Sequence, residues 1–220
     1  MLCDLDDTLY EEMTFVASGF GAVAAHLSER FHLNSEELFS AMMEILLKEG
    51  RGKVFDKLLE RYELFLPNLV SELVGTYRSH KPQIHLYPEV MSTFGALKML
   101  GMKLGVVTDG MHAVQRNKIA SLKLPEFVDT IVCTDELGQN YWKPHPAAFQ
   151  RALETLTVQP NEAVYVGNDP TKDFAGPHSI GMLTAHVFHD ASLAHPCCGA
   201  DAHIANLTGI LQLVTESWAA

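Results

Sequence analysis

The sequence predicts an α/β fold: a parallel sheet with helices on both faces, interrupted by one all-helical domain. Three observations carry this. Downstream of Pro88, helical and apolar strand-like segments alternate to the end of the chain. From about Glu11 to Ser79 the pattern is helical with no strand between. Finally, polar residues with chemical potential follow directly on the strand-like runs. Strand–helix alternation gives a parallel sheet covered on both sides. In such sheets ligands sit at the carboxyl ends of the strands, where the topology switches.

Met1 to Cys3 are apolar and run straight into DLDDT, which reads as a short buried strand ending in a polar loop. Only three residues precede Asp4, so this strand is short, and a trimmed start would weaken the centre of the sheet. The helical stretch follows. Leu38, Met42, Ile45 and Leu46 recur at helical spacing, and Asn34 with Glu37 reads as a capping box. Gly50 and Gly52 break that helix, another runs through VFDKLLERYELFL, and Pro67 is expected to open one more that ends near His80. Beyond Pro88 the order is helix EVMSTFGALKMLG, strand KLGVVTD, helix VQRNKIASLKL, strand TIVCT, helix PAAFQRALETL and strand AVYVG. MLTAHVF, ADAHIA and a closing helix NLTGILQLV complete it. The expected domains are a core of residues 1–10 and 86–220 and a helical insertion over 11–85.

Composition narrows the function. The chain has 220 residues, 47% of them hydrophobic, enough for a packed core. A formal charge of −11 argues against a nucleic-acid partner. An acidic protein handling anionic substrates needs local neutralisation, and a bound cation is the obvious device. Cys3, Cys133, Cys197 and Cys198 form no CxxC pair, so free thiols in a reducing compartment are expected. No apolar run reaches membrane-spanning length, and acids follow Met1 too soon for a signal peptide. The expectation is a soluble cytoplasmic protein with no membrane partner; monomer and homodimer both stay open.

Four features follow predicted strands. Asp4-x-Asp6-x-Thr8 places two carboxylates in one turn, where they can share a cation or divide the roles of nucleophile and acid/base. Thr108 ends LGVV, and its hydroxyl suits a phosphate oxygen. Lys143, before Pro144, can neutralise a phosphoryl group. Gly167-Asn168-Asp169-Pro170-Thr171-Lys172-Asp173 offers oxygen ligands for a hard cation. Singly, each has a plain alternative as a turn, cap or surface residue. Their occurrence in order, each after a strand, makes coincidence a weak account.

This arrangement resembles the haloacid dehalogenase-like hydrolase superfamily over essentially the whole chain. DLDDTLY resembles its first motif, LGVVTDG its second, the lysine of YWKPHPAAF its third and YVGNDPTKDFAGPHSIGM its fourth. The helical insertion resembles the family's mobile cap, whose closure excludes water. The core implied is Rossmann-like. The resemblance implies a Mg²⁺-dependent phosphohydrolase acting on a small phosphorylated metabolite. Asp4 would be the nucleophile and form an aspartyl-phosphate. Asp6 would protonate the leaving group and then activate water, which requires a proton on Asp6 at the start, raised there by the neighbouring Asp4. Thr108 and Lys143 would orient and neutralise phosphoryl oxygens. Thr8 and the Asp109-Gly110 turn would contact phosphate, and glycine at 110 permits close approach. Asp4, Asp6 through its carbonyl, and either Asn168 or Asp169 would hold the cation, with Asp173 supporting them as a partner of Lys143.

Two departures stand out. The fourth motif commonly reads Gly-Asp in the family and here reads Gly-Asn-Asp. The first strand is also short. An acid at position 6 favours phosphate esters over haloacids, since the dehalogenase branch lacks one. The rivals are a phosphomutase or dehalogenase on the same scaffold, and a non-catalytic binding protein. Among weaker candidates, His112 and Gln115 read as helix surface, with Lys118 beside them. Arg51, between two glycines, is the best candidate for substrate specificity, within an otherwise solvated run of interleaved charges. His195, Cys197, Cys198 and His203 do not match a zinc spacing. Phe15 and Phe20 read as core or pocket lining.

Overall fold

The computed structural model describes residues 1–189 and 199–217. In chain order the elements are β1 (Leu2–Cys3), α1 (Glu12–Phe31), α2 (Ser35–Glu49), α3 (Val54–Arg61), α4 (Leu69–Ser79) and α5 (Val90–Met99). Then come β2 (Gly105–Thr108), α6 (His112–Ser121), β3 (Thr130–Cys133), α7 (Ala147–Leu156) and β4 (Val164–Gly167). The last are α8 (Ala175–Ser179), β5 (Leu183–Val187), β6 (Ala202–Ile204) and α9 (Gly209–Gln212). They form two compact units: Met1–Glu11 with the chain from His85 onward, and Glu12–Ile84.

The first unit is a six-stranded sheet in the order β3-β2-β1-β4-β5-β6. Every strand pair is parallel, and helices cover both faces. The strand order reverses between β1 and β4, which is the switch point of a doubly wound sheet. β1 lies at the centre and has two residues, as its length in the sequence implies. Asp4 extends its ladder by donating its amide to Val166 O at 2.8 Å. Tight packing accounts for a glycine in β2: a Cβ on Gly105 would stand 2.6 Å from Leu2 Cδ2. α7 presents Ala148, Phe149, Ala152, Leu153 and Leu156 to Leu2, Val107, Val132 and Tyr165, building one apolar layer. Burial of these chains follows the helical period and contributes about 1.5–3 kcal/mol for each large apolar side chain.

The second unit is all-helical, with a core of Val16, Phe20, Val23, Leu27, Leu38, Met42, Ile45, Leu58 and Leu73. Asn34 Oδ1 accepts the amides of Glu36 and Glu37 at the start of α2, satisfying two donors a helix leaves unpaired. Gly50 ends α2 at φ +77°, and its amide donates to Leu46 O at 2.9 Å. Pro67 does not open α4. It stands in the preceding turn, Asn68 takes a left-handed φ of +64°, and the helix begins at Leu69. The mixed charges pair locally as a solvated face does: Lys48 and Arg61 each lie 2.7 Å from Glu44. Among the described residues no helix is long and apolar enough to cross a membrane.

Candidate active site

Asp4 stands where β1 ends, at the switch point, and is 2% exposed. Its Oδ1 lies 2.8 Å from Lys143 Nζ. Its Oδ2 is buried and has no hydrogen-bond partner among the described residues. A buried acceptor left alone costs about 1–3 kcal/mol, and more when charged. Such an atom at a strand end is a candidate ligand for a bound group. Burial pushes the Asp4 carboxyl up to about 7, against the pull of the Lys143 ammonium.

Lys143 comes from the loop after β3 and is fully committed. An ammonium has three protons. They meet Asp4 Oδ1 at 2.8 Å, Asp173 Oδ1 at 2.8 Å and Tyr165 OH at 3.0 Å. Burial pulls its pKa down, but the carboxylates of Asp173 and Asp4 outweigh that and hold it above the usual lysine value. Tyr165, on β4, donates its own proton to Val107 O at 3.2 Å. Tyr165 was not singled out in the sequence, because a tyrosine in an apolar strand reads as core.

The phosphate contact expected at Asp109 is one of backbone amides, and its side chain has separate work. Oδ1 accepts from Thr134 Oγ1 at 2.6 Å and from the Lys143 amide at 3.1 Å. It therefore holds the loop that carries Lys143. Gly110 adopts φ +116°, the region that favours glycine. Thr8 is buried, and its Oγ1 donates to Asn168 Oδ1 at 3.3 Å.

Asp6 has different neighbours from those expected. Lys118 Nζ lies 2.7 Å from Oδ1, Gln115 Nε2 donates to Oδ2 at 2.9 Å, and Tyr10 OH donates to Oδ1. Burial raises this carboxyl, but Lys118 and the donors more than offset it, so its pKa lies below the usual carboxylate value. The neighbour expected to raise Asp6 is thus replaced by Lys118, and Asp4 is the carboxyl that burial raises. Gln115 is not helix surface either. It is 1% exposed and also donates to Thr108 Oγ1 at 2.6 Å. Gln115 and Lys118 stand three residues apart on one face of α6, a spacing the sequence contains. His112, at the first residue of α6, is exposed and lies 3.3 Å from Glu136.

The loop after β4 separates the two metal candidates. Asn168 Oδ1 faces Thr8. Asp169 Oδ1 accepts from Thr171 N at 2.9 Å and Thr171 Oγ1 at 2.6 Å, which closes a local turn. Asp173 is fully buried, with Oδ1 on Lys143 and Oδ2 accepting the Asp169 amide at 2.9 Å. Gly167 makes room for it: a Cβ there would stand 2.6 Å from Asp173 Cγ.

Among the described residues no three His, Cys, Asp or Glu side chains cluster as a metal site. A hard cation of the Mg²⁺ type needs only one or two carboxylates, with neutral oxygens and water completing its shell. The partnerless Asp4 Oδ2 and the amide oxygen of Asn168 fit that requirement. Arg51 belongs to the helical unit, where it pairs with Glu12 at 2.9 and 2.6 Å. It lines a cavity of about 360 Å³ with Phe20, Phe55, Tyr77 and Arg78. Cys3 and Cys133 are buried free thiols. His195, Cys197 and Cys198 lie outside the described residues, and His203 is on β6.

Comparison with known proteins agrees with this geometry. The family model for haloacid dehalogenase-like hydrolases matches residues 1–187. The glyceraldehyde 3-phosphate phosphatase of Methanocaldococcus jannaschii is 31% identical, covering 85% of this chain and 83% of its own. Pyrophosphatase PpaX of Bacillus cereus strain G9842 is 35% identical, covering 85% and 82%. The crystal structure of a HAD phosphatase from Thermococcus onnurineus superposes with a TM-score of 0.65 at 26% identity, over 97% of this chain and 96% of that one. An Asp-ended central strand, a buried lysine shared by two aspartates and a matching family model together place this chain in the haloacid dehalogenase-like hydrolase family.

Proposed function

We propose that the chain is a Mg²⁺-dependent phosphomonoesterase that acts on a small phosphorylated metabolite through an aspartyl-phosphate on Asp4. The observation that carries this reading is the buried, partnerless Oδ2 of Asp4 beside Lys143 at the switch point of the sheet. The relatives named as phosphatases support hydrolysis of a phosphate group, with glyceraldehyde 3-phosphate and pyrophosphate as the first substrates to test.

In the first step Asp4 attacks phosphorus, and the bond from phosphorus to the leaving oxygen breaks. Asp6 gives its proton to that oxygen. In the second step Asp6 takes a proton from water as the water oxygen attacks phosphorus. The bond from phosphorus to Asp4 then breaks, which releases phosphate and restores the carboxylate. Lys118 holds the Asp6 carboxyl below its usual value, the substrate's negative charge entering beside it raises that value, and Asp6 takes from solvent the proton it then transfers. Thr108 and Lys143 orient the transferring oxygens. Held by Asp4, the Asp6 carbonyl and Asn168, Mg²⁺ would offset the charge that develops on phosphoryl oxygens. Asn168 is preferred to Asp169 because its Oδ1 meets Thr8 on the loop after β1, whereas Asp169 Oδ1 turns back to Thr171 in its own loop. Arg51 is assigned to recognition of the non-transferred part of the substrate.

The test is phosphate release from a panel of phosphometabolites with and without Mg²⁺, using Asp4→Asn as the blank. The expected result is Mg²⁺-dependent turnover that this substitution abolishes. Turnover that survives Asp4→Asn, or a panel with no phosphate release, would sink the reading. Arg51→Ala should raise KM more than it lowers kcat.

A further inference from the structure

Two histidines reach the loops that flank Asp4. His186 lies on β5, 3% exposed, with its ring edge-on to Phe174 at 5.7 Å between centroids. Its Nε2 is 3.1 Å from the backbone oxygen of Asn168. His189, just beyond β5, stacks on Tyr87 at 3.8 Å between centroids, and its Nε2 is 3.2 Å from the backbone oxygen of Thr8. A carbonyl only accepts, so both imidazoles carry a proton on Nε2 and donate. The two loops so held are the ones whose side chains meet through Thr8 Oγ1 and Asn168 Oδ1. Tyr87 adds a backbone bond to the first loop, its amide donating to Leu9 O at 2.9 Å.

We propose that His186 and His189 are positioning residues, one donor to each loop, which fix Asn168 Oδ1 and Thr8 at the rim of Asp4. Neither ring is on the strands that carry the loops. β5 therefore serves as a brace for the ends of β1 and β4, and its contribution reaches the reaction only through Asn168 and Thr8. The consequence for cation binding rests on the reading of Asn168 given above.

The test separates the donor from the ring. His186→Phe and His189→Phe keep an aromatic ring and remove the donor; His186→Gln and His189→Gln restore one. Two quantities are measured on folded full-length protein. The first is amide hydrogen exchange of residues 7–9 and 167–169. The second is Mg²⁺ affinity by calorimetry, alongside kcat at saturating Mg²⁺. Removing a group that orients a metal ligand typically weakens metal binding about 10–100-fold. The Phe variants should exchange faster at both loops and bind Mg²⁺ about tenfold more weakly, with kcat at saturation within about twofold of wild type, and Gln should recover most of the loss. Because both histidines converge on one contact, the double Phe variant should lose less than the two singles combined. Unchanged exchange in the Phe variants, or a loss that Gln does not rescue, would overturn the proposal. Faster exchange together with no Mg²⁺ binding by the wild type would uphold the brace and refute the metal reading instead.

Discussion

Lys143→Met removes a charge from a side chain with no exposed surface and replaces it with an apolar chain of similar length. It strands Asp4 and Asp173, whose side chains are 2% and 0% exposed, without their shared cation. Removing one partner of a buried ion pair costs about 3–5 kcal/mol, because the other charge stays buried and uncompensated. For a chain of this size about 1 kcal/mol moves the midpoint by about 2–4 °C, so unfolding of the sheet unit should fall by roughly 6–20 °C. The pH dependence gives a sharper test. Burial lifts the Asp4 carboxyl from 3.8 to about 7. A carboxyl raised in this way adds stability that is fully present below its unfolded pKa and is lost as pH rises through the folded one. Metal-free wild type should therefore lose this contribution between about pH 4 and about pH 7. The variant lacks the lysine that pulls Asp4 down, so it keeps the proton to higher pH. The two proteins should differ least in acid, where Asp4 is neutral in both, and most above pH 7. Calorimetric melts in chelator, run at stepwise pH, measure the gap. A variant with the wild-type midpoint above pH 7, or a gap that widens in acid, would refute the account of Lys143 as counter-ion to two buried carboxylates.

Four further outcomes follow from single sites. Lys118→Met removes the ammonium 2.7 Å from Asp6, so the Asp6 carboxyl should titrate at higher pH than in the wild type, seen in a carbon-detected titration of that carboxyl. Gly167→Ala drives a methyl into the Asp173 carboxylate and should destabilise by about 1–3 kcal/mol in denaturant melts. Gly95→Ala, helical with nothing within 4 Å, should stabilise by about 0.5–1 kcal/mol, and equal effects at the two glycines would contradict the packing. Burial pushes the Cys3 thiol up to about 12, so alkylation followed by peptide mapping should find Cys3 unmodified in the folded protein and modified after unfolding.

The sheet was legible because its signal is local. Each strand is an apolar run that ends in a turn, and the residue after the run sits at the carboxyl edge whatever the detailed packing. That logic located Asp4, Thr108 and the Asn168 loop, and the invariance of strand polarity in a parallel sheet made them neighbours. Lys143 was legible as a residue type in a loop, whereas its partner Tyr165 was not, since its hydroxyl matters only once β2 and β4 flank β1. Asp6 was misjudged for a related reason. In the sequence the charges beside it are Asp4 and Asp7, but in space it meets Lys118, 112 residues away. Asp109 likewise belonged by position to a phosphate turn, and only the contact with Thr134 and the Lys143 amide reveals its work. His186 and His189 carry no sequence signal at all, because a backbone carbonyl can be met by any donor that the fold brings to it.

Charge at this site bears on the proposed cation and on Asn168. The carboxyl groups of Asp4, Asp6 and Asp173 face the two ammoniums of Lys143 and Lys118, and Asp109 adds a fourth carboxyl on the loop of Lys143. A phosphate monoester adds up to two negative charges. Like charges about 4 Å apart repel by about 4 kcal/mol at the effective dielectric of a protein surface, so a divalent cation held at Asn168 would ease the entry of the ester. An aspartate at 168 would add one more negative charge beside both. On the proposed reading, asparagine gives up affinity for the cation and gains affinity for the phosphate group. Asn168→Asp should bind Mg²⁺ more tightly, read by calorimetry, and should be inhibited less by inorganic phosphate, read from initial rates. Tighter Mg²⁺ with unchanged phosphate inhibition would mean that the phosphoryl group does not sense this charge. Unchanged Mg²⁺ affinity would mean that Asn168 does not face the cation, and Asp169, released from Thr171, would be the residue to examine.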